Sequence, residues 1–282
     1  MTTGPPPTHD PARTIEALLS QSWLLFRRNW IVALPPLIGA AVAVFTIAPL
    51  AVAIAFVVVH NAVHAPQVTS VPMWSIAIGV VVIFAVAAAV GLYSVAAPYG
   101  MADVAWSRGT TALADGWMAF RRRSGALSTA GLAMLGVAIA ALILALPTLG
   151  LSLIAFPLVT MYVIPSAVAG GRGGFAAIGE SFRLVRRSPG RSAVLLLVQI
   201  AIGYGLAYAA AIGILPAEFA MLPIGTESTL HVPPLGLIVV AVFTELAYVV
   251  ALTAFGGFSA LVLVGLYRWV VAEDAAAAAA ER

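Results

Sequence analysis

The chain has 282 residues, 62% of them hydrophobic and only 9% charged, with a mean hydropathy of +1.06 and a formal net charge of +3. A soluble domain carries about a quarter charged residues, so this composition excludes one and indicates an all-α, polytopic helical membrane protein. All 14 cations are arginine, and with no cysteine in the chain, disulfide and thiolate chemistry are excluded.

Residues 1–12, MTTGPPPTHDPA, lack an apolar run and read as a disordered N-terminal tail rather than a cleavable signal. The segment ALLSQSWLLFRRN follows from Ala17, and aligned versions recur as TALADGWMAFRRR from Thr111 and AAIGESFRLVRRS from Ala176. Leu19, Trp23 and Phe26 match Leu113, Trp117 and Phe120, then Ile178, Phe182 and Val185, a spacing that lays one apolar stripe along a helix. Each stripe ends in arginines: Arg27–Arg28, Arg121–Arg122 with Arg123, and Arg186–Arg187. An apolar face joined to a cationic end predicts a helix lying in the membrane interface.

Six apolar segments, at about 34–58, 74–98, 127–146, 150–169, 192–214 and 237–264, approach the ~20 residues needed to cross ~30 Å of hydrocarbon. Every arginine falls on one side when these spans are drawn. The loops His60–Pro72, Pro147–Gly150 and Leu215–Leu235 hold none, so the positive-inside rule places both termini in the cytoplasm of a bacterial inner membrane. The expected architecture is three parallel repeats of interfacial helix plus transmembrane hairpin, at about 13–100, 109–170 and 174–270, in a single domain over 13–270. Each return span also carries a tyrosine near its cytoplasmic end, Gly91-Leu92-Tyr93 and Gly265-Leu266-Tyr267 matching well and Thr160-Met161-Tyr162 of the second repeat less well. Pro35–Pro36, Pro98, Pro157 and Pro165 are expected to kink or end helices; the long last span is expected either to bend at Gly256–Gly257 or to continue at its inner end into the cytoplasm. Residues 271–282 read as an Ala-rich cytoplasmic tail, frayed or disordered.

Among the apolar spans the one acid is Glu245. A charge at mid-bilayer costs about 3 kcal/mol on insertion scales, so a proton and a hydrogen-bond partner are its natural companions. Helix rise puts Tyr204 and Tyr208 of span five at a similar depth, with Gln199 deeper. These four residues form a candidate polar cluster, read either as a protonation or ligand site or as a hydrogen bond joining spans five and six. The arginine clusters, with Trp23, Trp117 and Phe182, are candidate contacts for anionic lipid headgroups or a protein partner; topology alone also predicts them. His60 and His64, with Glu218, Glu227 and His231, have only the outline of a metal site, and interfacial histidines are the simpler reading. The glycines of AGGRGGFAAIG follow a span rather than a strand and lack the Lys-Ser/Thr ending of a phosphate loop, which leaves a flexible linker. The residues suggest no catalytic constellation and no cofactor or nucleic-acid site.

At Tyr162-Val-Ile-Pro165, the Gly-rich connector and Ala177-Ile178-Gly179-Glu180-Ser181-Phe182-Arg183-Leu184-Val185, the chain resembles a group of bacterial six-span proteins similar to the membrane domain of glycerophosphoryl diester phosphodiesterases. In those enzymes a separate soluble domain hydrolyses the substrate. The resemblance implies a membrane module without the catalytic domain, and no catalytic residue carries over. The expectation is a non-enzymatic scaffold or accessory subunit, with a transporter or lipid-handling permease using Glu245 as the alternative.

Overall fold

The computed structural model describes residues 11–63, 73–221 and 235–280. All regular structure among them is helical: α1 (Pro11–Arg28), α2 (Leu34–Val42), α3 (Ala48–Val63), α4 (Met73–Arg108), α5 (Leu113–Ala145), α6 (Leu151–Thr160), α7 (Val163–Val168), α8 (Gly174–Arg187), α9 (Pro189–Met221) and α10 (Leu235–Ala280). Six helical segments are long and apolar enough to cross a membrane. Helices suit such sequences because each satisfies its own backbone hydrogen bonds where no water can.

Proline explains most of the interruptions, since its ring clashes with the carbonyl four residues earlier. Pro35 and Pro36 follow a 3₁₀ turn at Trp30–Ala33, and Pro49 follows a π-helical turn at Ala43–Ile47. Pro165 lies one turn beyond the break between α6 and α7 at Met161–Tyr162. Pro98 and Pro157 instead stay inside α4 and α6. The α5–α6 turn closes where Gly150, at φ 83°, donates its N–H to the Ala145 carbonyl at 2.7 Å, a helix-ending geometry that favours glycine.

The dry core lies toward the arginine-rich end. On α4 the buried residues begin at Ala96, and on α10 at Thr253. Large side chains in the other halves, including Phe45, Phe84 and Phe243, are exposed, which costs nothing where the surroundings are lipid tails. The last helix is the hub. It packs on α1, α2, α4 and α9, and Trp106 of α4 donates its indole N–H to the Leu261 carbonyl at 2.8 Å.

α10 runs as one helix through Gly256–Gly257, and Gly257 admits the 3₁₀ turn, whose Ala33 nitrogen would lie 2.9 Å from any Cβ there. Two local expectations change. Residues 271–280 continue α10 as helix, and Glu273 and Asp274 within them form ion pairs with α8 and α9. Tyr93 and Tyr267 do not occupy matching places, since Tyr93 packs on Trp117 and Phe120 whereas Tyr267 is buried beside Glu180.

Candidate functional site

The arginine-rich end gathers the last turn of α4, the first turns of α5, the loop before α8, α8 itself and the extension of α10. The three aligned segments arrive there differently. In the first, the chain leaves the helix at Asn29, whose side-chain amide donates to the Leu25 and Gly109 carbonyls at 2.9 and 3.1 Å while its carbonyl accepts from the Thr111 N–H at 2.9 Å. At the aligned position of the third segment, Ser188 is non-helical as well, because Pro189 disfavours helical geometry in the residue before it. The second segment has no break: Arg123 lies inside α5, which runs unbroken from Leu113 to Ala145. A separate interfacial helix ahead of span three is therefore not present; the Trp117 segment is the first part of the long helix.

Despite this, Trp23, Trp117 and Phe182 are each 52% exposed. One position earlier in the same register, Ser22, Gly116 and Ser181 are buried, so a small residue meets the core while the ring lies at its edge. Phe258 of α10 packs edge-on against Trp23 and Phe26 at centroid distances of 6.1 Å, as Tyr93 of α4 packs against Trp117 and Phe120 at 5.9 and 5.6 Å.

The arginines divide into two sets. Arg183 and Arg187 of α8 both reach Asp274, Arg191 Nη1 lies 2.8 Å from both oxygens of Glu273, and Arg268 Nε lies 2.9 Å from Asp103 Oδ1. These pairs fasten the extension of α10 to α8 and α9, and α10 to α4. In contrast, Arg27, Arg28, Arg121, Arg122, Arg123 and Arg186 are exposed and have no acidic partner among the described residues. Arg187 thus belongs to an internal clamp, whereas its neighbour Arg186 is available to an outside anion.

Glu180 is the buried acid of this end, its side chain only 5% exposed. Arg172 from the loop before α8 pairs with one oxygen, Arg183 lies 3.9 Å from the other, and Tyr267 donates its hydroxyl to that oxygen at 3.2 Å. A carboxylate so placed is compensated from three directions. Ser181 beside it serves the α6–α7 break: its hydroxyl donates to the Val159 carbonyl and accepts the Tyr162 N–H. The Gly-rich connector is therefore part of a joint, since its Arg172 is an ion-pair partner and its Gly171 adopts φ +67° against Arg123.

The four-residue polar cluster is not assembled by hydrogen bonds. Glu245 is exposed, Tyr204 and Tyr208 are each 75% exposed, and no hydrogen bond or ion pair reaches any of the three among the described residues. Gln199 is half-buried, its amide nitrogen without a partner. His64, Glu227 and His231 of the outlined metal site, and residues 1–10 of the N-terminal tail, lie outside the described residues. Among the described residues no group of three His, Asp or Glu side chains could hold a metal ion.

Compared with known proteins, the chain matches no family model, no curated protein and no solved structure. The arrangement itself has a clear chemical capacity. It presents unneutralised guanidinium groups beside exposed aromatic rings at one end of an apolar bundle, which suits anion binding at a lipid–water boundary. Sequence reasoning missed Asp103, Glu180, Glu273 and Asp274. Their signal was available, since all four acids fall in segments assigned to the arginine side, but their partners come from elsewhere in the chain.

Proposed function

We propose that the chain is a non-enzymatic integral membrane protein, a scaffold or accessory subunit of a bacterial cytoplasmic membrane. Its arginine-ended segments engage anionic lipid headgroups or a partner protein. The observation that carries this reading is the division of the arginines: Arg172, Arg183, Arg187, Arg191 and Arg268 are paired with acids, yet Arg27, Arg28 and Arg121–Arg123 are left exposed beside Trp23 and Trp117. Each such cation near an anionic leaflet contributes about 1 kcal/mol of attraction.

The finer architecture belongs to the same proposal. Three parallel repeats are supported by the common exposure of Trp23, Trp117 and Phe182 and by the matching ring contacts of Phe258 and Tyr93. A cytoplasmic location for both termini rests on the one-sided arginines. The likeness to the phosphodiesterase membrane domain is likewise proposed, as a structural kinship: Glu180 and Ser181 of the shared motif are used in the α8 joint.

The test is native mass spectrometry of the gently solubilised protein beside an Arg27→Ala/Arg28→Ala variant. The variant is expected to lose co-purifying anionic lipid or a retained partner; an unchanged spectrum from a correctly inserted protein overturns the proposal. A second reading, a permease using Glu245, starts from its being the one acid in the apolar spans, with no hydrogen-bond or ion-pair partner among the described residues. Glu245→Gln abolishing a bound solute in the same spectra would support it, and indifference would remove it.

A further inference from the structure

The end of α4, the start of α5 and the end of α7 enclose a cleft of about 300 Å³, whose lining includes Asp103, Arg108, Asp115, Met118, Arg122 and Arg123. Both carboxylates are already engaged. Asp103 is paired with Arg268 at 2.9 Å, and Asp115 accepts the Ala112 N–H at 2.8 Å and the Thr111 hydroxyl at 3.3 Å, half of a helix-capping arrangement. The three guanidinium groups have no ion pair or hydrogen bond among the described residues. The Arg123 guanidinium lies against Gly171, whose φ is +67°.

We propose that this cleft binds a single phosphate group. Arg108 of α4 and Arg122 and Arg123 of α5 line one cleft and supply forked donors that match phosphate oxygens; with Asp103 paired to Arg268, Asp115 is the one carboxylate of the lining left against three cations. The volume is at the low end for small-molecule sites, which suits a phosphate with a small substituent rather than a nucleotide. Met118, Ala119, Val104 and Val168 give the cleft apolar walls beside its charges. The phosphate can belong to a lipid headgroup or to a soluble ester. For the lipid source the inference rests on the proposal that this end of the molecule meets anionic lipid.

Arg108 and Arg121 separate the two ideas, because Arg108 lines the cleft but lies outside the aligned segments, while Arg121 lies within one but not in the cleft. The full chain in neutral-lipid nanodiscs would be titrated with inorganic phosphate, and in parallel with nanodiscs containing phosphatidic acid. One saturable site per chain is expected, weakened about tenfold or more by Arg108→Ala or Arg122→Ala, unaffected by Arg121→Ala and partly kept in Arg108→Lys. Competition of inorganic phosphate with the lipid identifies a headgroup site open to water, lipid binding alone identifies a membrane source, and phosphate binding alone a soluble one. Saturable binding unchanged in a monodisperse Arg108→Ala/Arg122→Ala protein, or no saturable binding of either probe, overturns the inference. If Arg27→Ala/Arg28→Ala changes nothing while the cleft still binds, the lipid-collar proposal fails and the cleft stands.

Discussion

At the scale of single residues, the decisive positions are those where burial and charge disagree with a residue's ordinary habits. Gly257 is one, because the 3₁₀ turn of Trp30–Ala33 rests where a side chain would be. Gly257→Val should destabilise the bundle by about 1–3 kcal/mol through overpacking, read as a lower thermal midpoint in detergent, whereas the same change at Gly256, with nothing nearer than Pro36 at 4.0 Å, should cost less. Glu180 is another. Glu180→Gln removes the charge that Arg172 and Arg183 face, but both arginines are more than half exposed, so the expected loss is about 1–3 kcal/mol rather than the larger figure for a fully buried pair. A thermal midpoint equal to that of the parent would show that the joint does not depend on this acid. Sequence reading noticed Glu245 because an acid in an apolar run is conspicuous. It passed over Glu180 because an acid among arginines looks like a solvated face, and its buried surroundings include Tyr267, 87 residues away.

At the scale of elements, the three aligned segments show how the same local pattern meets different neighbours. The helix ends at Asn29 because a side-chain amide bonds across to Gly109 and Thr111, and at Ser188 because proline follows, while nothing stops it at Arg123. The pattern of apolar and basic residues predicts the helices; the stops depend on one proline and one tertiary hydrogen-bond set. The extension of α10 is similarly conditional. An Ala-rich run that would fray alone is held by Arg183, Arg187 and Arg191 through Glu273 and Asp274. Partly exposed ion pairs contribute only about 0.5 kcal/mol each. Glu273→Ala/Asp274→Ala should therefore speed amide exchange over 271–280 by about tenfold without altering the rest of α10. Exchange equally fast in both proteins would mean the clamp is absent in solution. The Asp103–Arg268 pair between α4 and α10 should show a coupling of about 0.5 kcal/mol in a double-mutant cycle, being one-third exposed on each side.

At the scale of the whole molecule, the bundle is tied at its arginine-rich end and leaves large apolar side chains outward in its other half. With no native cysteine, the arrangement can be tested by introduced pairs. A Cβ at Gly213 would lie 3.1 Å from Thr244 Cβ, so Gly213→Cys/Thr244→Cys should cross-link α9 to α10 nearly completely, allowing for slight relaxation to disulfide geometry. Failure to cross-link would mean that these helices pair in another register. The sequence alone determined that the chain is helical and that six of its segments are long and apolar enough to cross a membrane. Those properties follow from the bilayer acting on each segment separately: backbone groups must be satisfied within a helix, and apolar length must match hydrocarbon thickness. Tertiary structure decided which arginines are neutralised, which acid is buried, why Gly257 is small and where a cleft lined by three cations opens. Each of these depends on groups far apart in the chain coming within a few ångströms, and the energy of a charge is set by such neighbours rather than by its own segment.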